Sequence, residues 1–135
     1  MSLTFRKRER MVSRKLIEML FNGNSSHSMA AFPLRAVYAA TERNKGDVAV
    51  QLLISVPKKR FRHAVDRNRV KRQVREAFRR HKQVLYDAMP ANRQLLLALV
   101  WLTDTHMASA EIEVRLASLV QRIAEKVKKY ESEDE

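Results

Sequence analysis

The sequence predicts a small α+β fold with a mixed sheet and about three helices. Two observations lead there. Apolar residues recur at period two in some stretches and at helical spacing in others, and these alternate as helix, strands, helix, strand, helix. Breakers are also few: Gly23, Gly46, Pro33, Pro57 and Pro90 are the only glycines and prolines, and they fall between the periodic segments.

Residues 13–21 predict the first helix, with Leu16, Ile17, Leu20 and Phe21 at helical spacing and Asn22-Gly23 as its stop. Residues 24–31 are small and polar, which fits a loop or a short edge strand. Residues 32–40 predict a strand with Phe32, Leu34, Ala36 and Tyr38 on one face. Asn44-Lys45-Gly46-Asp47 is turn chemistry. Val48, Val50, Leu52, Ile54 and Val56 then repeat at period two, the expected second half of a hairpin that Pro57 ends. A long helix follows over 65–86, with Val70, Val74, Ala77, His81 and Leu85 as its apolar stripe. The run 95–102 is continuously apolar and contains Trp101, as expected of a strand covered on both faces. After a loop at 103–106, Ile112, Leu116, Leu119, Val120, Ile123 and Val127 mark a last amphipathic helix. One domain is expected over 1–130, and the acidic tail 131–135 is expected to fray.

Composition narrows the partners. The longest apolar run, 95–102, is far short of the roughly 20 residues that span a bilayer. The basic N-terminus is not followed by an apolar segment of the secretory kind. Without cysteine there is no disulfide framework, thiolate nucleophile or Cys-based zinc site. These features point to a cytoplasmic protein with no membrane partner. Lys plus Arg number 27 against 15 acids, a formal net charge of +12, so a polyanion is the expected partner.

The charge is concentrated. Residues 58–82 hold twelve Lys/Arg against the two acids Asp66 and Glu76, a net of +10, and a weaker basic cluster lies at 6–15. With about 100° per residue and Val70 at zero, Asn68, Arg72, Arg75 and Arg79 fall within about 40° of the opposite side of the long helix. Arg69 and Lys71 flank that face. An ordinary solvated face mixes signs, and this one scarcely does. Guanidinium groups in register offer forked donors to successive phosphates. Asn68 adds a donor and an acceptor for a 2′-hydroxyl or base edge. The loop Lys58-Lys59-Arg60-Phe61-Arg62-His63 leads into the helix N-terminus, itself favourable for anions.

The run from Lys59 to Arg79, about 20 contiguous residues centred on Arg67-Asn68-Arg69 and continuing through Val70-Lys71-Arg72 and Arg75-Glu76, resembles the signature of the bacterial ribonuclease P protein component. The order of elements along nearly the whole chain is similar too. The resemblance implies the ribonuclease P protein-like fold (ribosomal protein S5 domain 2-like), a small α/β sandwich with a mixed four-stranded sheet and a left-handed βαβ crossover, against the usual right-handed rule. It implies that the protein performs no bond chemistry: the RNA subunit holds Mg2+ ions and cleaves precursor tRNA by metal-assisted attack of water, releasing the 5′ leader. On that resemblance Lys58, Lys59, Arg60, Arg62, Arg67, Asn68, Arg69, Lys71, Arg72, Arg75 and Arg79 anchor the catalytic RNA, one protein per RNA. A cleft between the first helix and the sheet takes the single-stranded leader, with Phe21, Phe32, Arg35 and Tyr38 as candidates. The first helix departs from the family pattern, because Ile17 stands where an aromatic is commoner one turn before Phe21.

Other readings fit less well. A ribosomal or other structural RNA-binding protein shares the basicity but not the Arg-Asn-Arg signature. A helix-turn-helix DNA regulator would place a short helix before the basic one, whereas a strand and an extended loop precede it here. His27, His63, His81 and His106 are scattered, without metal-ligand spacing, and no bound cofactor or small-molecule substrate is expected of the protein itself. Asp66 suits a helix N-terminus, and Glu76 stands four residues from both Arg72 and Arg80, so both acids read as structural partners.

Overall fold

A computed structural model describes residues 7–23 and 25–133, with 129–133 as backbone only. A single 3-10 turn at Lys7–Glu9 precedes helix α1 (Arg14–Asn22), strands β1 (His27–Ala31), β2 (Leu34–Glu42) and β3 (Val50–Ser55), helix α2 (Ala64–Ala88), strand β4 (Arg93–Trp101) and helix α3 (Ser109–Glu133). Helix α1 begins where the extended Ser13 accepts the Leu16 N–H on its Oγ, and it stops at Gly23. The α3 backbone carries on to Glu133, so three residues of the acidic tail extend the helix; Asp134 and Glu135 lie outside the described residues, as do the basic Arg6 and the residues before it. None of the described helices is long and apolar enough to cross a membrane.

The sheet is mixed, in the order β1-β2-β4-β3, with β3 and β4 parallel and the other pairs antiparallel. This overturns the expected hairpin between residues 32–40 and 48–56, because β4 lies between those strands. The physical reason is burial. Strand β4 is apolar on both faces and takes the centre, while β3 carries Gln51 and Ser55 and sits at the edge. The hairpin that does form joins β1 to β2 through a turn at Phe32-Pro33. Pro33 has no N–H for a ladder, so Phe32 leaves the strand and its side chain is exposed. The Asn44–Asp47 turn forms as expected, with the Asp47 N–H bonded to the Asn44 carbonyl and Gly46 at φ 92°.

Two apolar layers follow from the alternation of side chains. Leu34, Ala36, Tyr38, Val50, Leu52, Leu95, Leu97, Leu99 and Trp101 face α2 and α3. Val37, Ala39, Leu96 and Ala98 face the other way, against Leu16, Ile17 and Leu20 of α1 and against Met11. Every apolar residue expected to face the core from the last helix is buried. On α2, Val70, Val74, Ala77 and Leu85 are buried as expected, but Phe78 and Lys82 complete the stripe in place of His81. His81 is half-buried, and its Nε2 lies 3.1 Å from Glu113 on α3.

Lys82 is buried because it has a partner there. Its Nζ lies 3.0 and 2.9 Å from the two carboxylate oxygens of Glu9, which also accepts the Tyr86 hydroxyl. Burial, followed by the Glu9 contact, pushes the Tyr86 pKa well above its ordinary value. This pair ties the N-terminal segment to the C-terminal half of α2. Lys82→Ala would leave a carboxylate buried without its cation, which costs roughly 3–5 kcal/mol. The expected result is a lower denaturant midpoint for Lys82→Ala, with much of the loss recovered when Glu9→Gln is added, read by urea unfolding followed by circular dichroism.

Candidate nucleic-acid interface

The basic segment begins in a loop that is held by its own side chains. Phe61 is buried in the core and stacks on His106, with ring centroids 4.5 Å apart. His106 Nε2 lies 3.1 Å from Asp66 in the first turn of α2. Arg60 approaches Asp104 at 3.4 Å. Arg67 donates from Nη1 to the carbonyls of Phe61 (2.9 Å) and Arg62 (3.0 Å). Arg60 and Arg67 therefore shape this loop as well as charging it, a role not visible in the sequence. Lys58, Lys59 and Arg62 remain exposed around it.

Along α2 the division into two faces holds in outline. Asn68, Arg69 and Arg72 are exposed, whereas Lys71, Arg75 and Arg79 are half-buried. Arg69, Arg72, Arg75 and Arg79 line an open groove of about 860 Å³ that reaches Ser109 at the start of α3. Gln73 fixes that junction by donating from Nε2 to the Met107 carbonyl and to Ser109 Oγ, both at 3.0 Å. Burial, then Arg10 and Arg72, lowers the Arg75 pKa from the ordinary arginine value. The guanidinium remains charged, so it sits in a field that favours an anion.

The row of cations is not continuous. Glu76 accepts from Arg79 at 3.0 and 2.6 Å and from Arg80 at 3.3 Å. These contacts, chiefly the hydrogen bond from Arg79, hold its carboxyl down to about 2. Its partners are Arg79 and Arg80, three and four residues on along the same helix, rather than Arg72.

The four cleft candidates separate. Phe21 is exposed in the last turn of α1, and Arg35 is exposed on β2, on the sheet face that α1 covers, with its Nε bonded to Ser28. Phe32 lies in the β1–β2 turn. Tyr38 is a correction: it is buried in the core on the α2–α3 side, the opposite face from α1. Its parity matches Leu34 and Ala36, and that signal was already present in the strand pattern.

The family model for ribonuclease P matches residues 5–124. The chain belongs to that family. The ribonuclease P protein component of Porphyromonas gingivalis (strain ATCC 33277) is 42% identical over 83 residues, covering 62% of this chain and 58% of the relative. The chain thus spans little more than half the length of that relative. The ribonuclease P protein component of Idiomarina loihiensis is 32% identical over 117 residues, 79% of this chain and 86% of its own. Among solved structures, the RNase P protein from Thermotoga maritima superimposes with a TM-score of 0.63 at 24% identity, over 84% of this chain and 96% of that one, a likeness of fold alone. The RNase P protein from Staphylococcus aureus gives 0.57 at 25% identity, over 90% and 92%. The mixed four-stranded sheet with three helices is therefore the fold of ribonuclease P proteins in this chain.

Glu76 also sets a pH dependence. Its folded pKa lies below the ordinary 4.5, so the Glu76–Arg79 contribution is fully present above that value and is lost as pH falls toward 2. Carboxyl NMR titration is expected to find Glu76 ionised at pH 3.5, and Arg79→Ala is expected to raise its pKa toward the ordinary range, with Arg80 still holding part of the depression.

Proposed function

We propose that this chain is the protein subunit of ribonuclease P, which binds the catalytic RNA and the 5′ leader of precursor tRNA and assists removal of the leader. Phosphodiester hydrolysis belongs to the RNA, at Mg2+ ions that the RNA holds. The observation that carries this reading is the construction of α2: Val70, Val74 and Phe78 are buried against the sheet while Asn68, Arg69 and Arg72 point outward beside a groove. Family membership selects RNA over DNA as the polyanion.

On this reading the exposed Lys58, Lys59, Arg62, Asn68, Arg69 and Arg72, with the flanking Lys71 and Arg75, take the backbone of the catalytic RNA. Arg60 and Arg67 hold the loop in shape and offer their remaining donors. Arg79 contributes less, because Glu76 already engages it. On the α1 side Phe21 offers a face to an unpaired leader base, worth roughly 1–3 kcal/mol, and Arg35 offers a guanidinium to its phosphate. The protein acts in the cytoplasm as one copy per RNA.

Reconstitution tests the reading. Added to a bacterial ribonuclease P RNA at low Mg2+, the protein is expected to enable release of leaders at the mature 5′ end; an unchanged rate and substrate affinity across Mg2+ concentrations would exclude it. The α2 face gives a finer expectation. Arg72→Ala should weaken RNA binding and flatten its salt dependence by about one unit of slope. Arg79→Ala should do so less, and Glu76→Gln should strengthen binding by releasing Arg79 and Arg80, all read by filter binding over a salt series.

A further inference from the structure

The N-terminal segment lies along the free edge of the sheet. Arg10 forms a parallel bridge with Leu52 of the edge strand β3, and the Met11 N–H reaches the Leu52 carbonyl at 2.9 Å. Two further ties hold the segment there. Arg8 donates to the Gly46 carbonyl at 2.5 Å, and Glu9 is the buried partner of Lys82. Between this segment, β3 and α2 runs an open groove of about 230 Å³. Arg10, Lys71 and Arg75 supply its cations, Met11, Val12, Leu53 and Ile54 supply its apolar surface, and no acidic side chain lines it among the described residues.

The groove joins two surfaces. Arg75 also lines the larger groove along α2, while Met11 and Leu53 belong to the apolar layer under α1. A strand of RNA passing from the basic helix toward the α1 side would cross it. Burial and the nearby Arg10 and Arg72 all lower the Arg75 pKa, which places these like charges close enough to oppose one another. A phosphate among them would relieve that opposition, and the apolar wall is suited to the sugar or base attached to it.

We infer that this groove is an RNA subsite in which Arg10, Lys71 and Arg75 hold one phosphodiester, and that the buried Glu9–Lys82 pair is the positioning device that keeps Arg10 at its rim. The inference rests on the reading of the chain as an RNA-binding subunit. It adds a region outside the Arg-Asn-Arg helix to the interface.

The test uses the full chain in two arms: binding of the catalytic RNA, and binding by the reconstituted holoenzyme of precursor tRNA with and without a leader. Arg10→Ala is expected to weaken binding several-fold in one arm and to lower its slope of log affinity against log salt by about 0.7 to 1. Arg10→Lys is expected to restore the slope. Loss in the first arm assigns the phosphodiester to the catalytic RNA, and loss only with the leader present assigns it to the leader. Unchanged affinity and slope in both arms, with Arg72→Ala still weakening binding, would overturn the subsite and leave the proposed function standing. Failure of the wild-type chain to bind either RNA would overturn both. For the positioning role, the double variant Glu9→Gln, Lys82→Met and the milder Tyr86→Phe are expected to reproduce part of the Arg10→Ala slope change while remaining folded. A wild-type slope in both folded variants would overturn that role.

Discussion

Strand β4 has no face to give to water. Leu95, Leu96, Leu97, Ala98, Leu99 and Trp101 are all buried, on alternating sides. A backbone so placed must have its N–H and C=O groups paired along both edges, and its side chains must be covered from both directions. Strands β2 and β3 satisfy the edges, α2 with α3 covers one face, and α1 covers the other. Because β3 pairs with β4 in parallel, the chain between them must cross over the sheet, and α2 is that crossover. The basic helix is therefore fixed by the same requirement that buries β4. Its inner stripe is committed to the core, and only its outer face is open to variation in charge.

A crossover helix carrying this many cations repels itself, and the neighbouring elements answer that repulsion selectively. Glu76 on α2 and Glu113 on α3 meet Arg80, Glu9 meets Lys82 from behind, and Asp104 meets Arg60 beside the loop. Glu9, Asp104 and Glu113 come from other elements, while Glu76 lines the groove that runs to the start of α3 together with Arg69, Arg72, Arg75 and Arg79. The exposed pairs among them contribute little stability individually. Their placement matters more, because it leaves the excess positive potential on one side, where a polyanion can neutralise it.

Most elements were legible in the sequence because each carries a single strong period. The buried face of the last helix, the apolar β4 and the Val70–Val74–Ala77–Leu85 stripe are visible in the sequence for that reason. What failed was pairing and partnership. Two adjacent alternating segments look like a hairpin whether or not a later strand inserts between them, so the separation of β2 from β3 was invisible. Lys82 reads as a surface cation until Glu9, distant in sequence, is brought against it. For Tyr38 the reason is simpler: alternation puts it on one face with Leu34 and Ala36, but nothing in the sequence says which of the two sheet faces α1 covers. The same blindness hid Arg10, which belongs to a weak basic cluster and gains its setting only when Met11 docks beside Leu52.

The Glu9–Lys82 pair bears on why that docking is built as it is. A buried ion pair is seldom a better stabiliser than a well-packed apolar pair, but it tolerates far less variation in geometry. Here it joins a segment that brings Arg10 toward Lys71 and Arg75, a placement that charge repulsion opposes in the absence of an anion. The burial of Met11 favours docking without fixing its register, whereas two hydrogen bonds from Lys82 and one from Tyr86 to a single carboxylate do fix it. The cations at the β3 edge are thus held together before any partner arrives. A ligand that meets such a preorganised site does not bear the full entropic cost of assembling it.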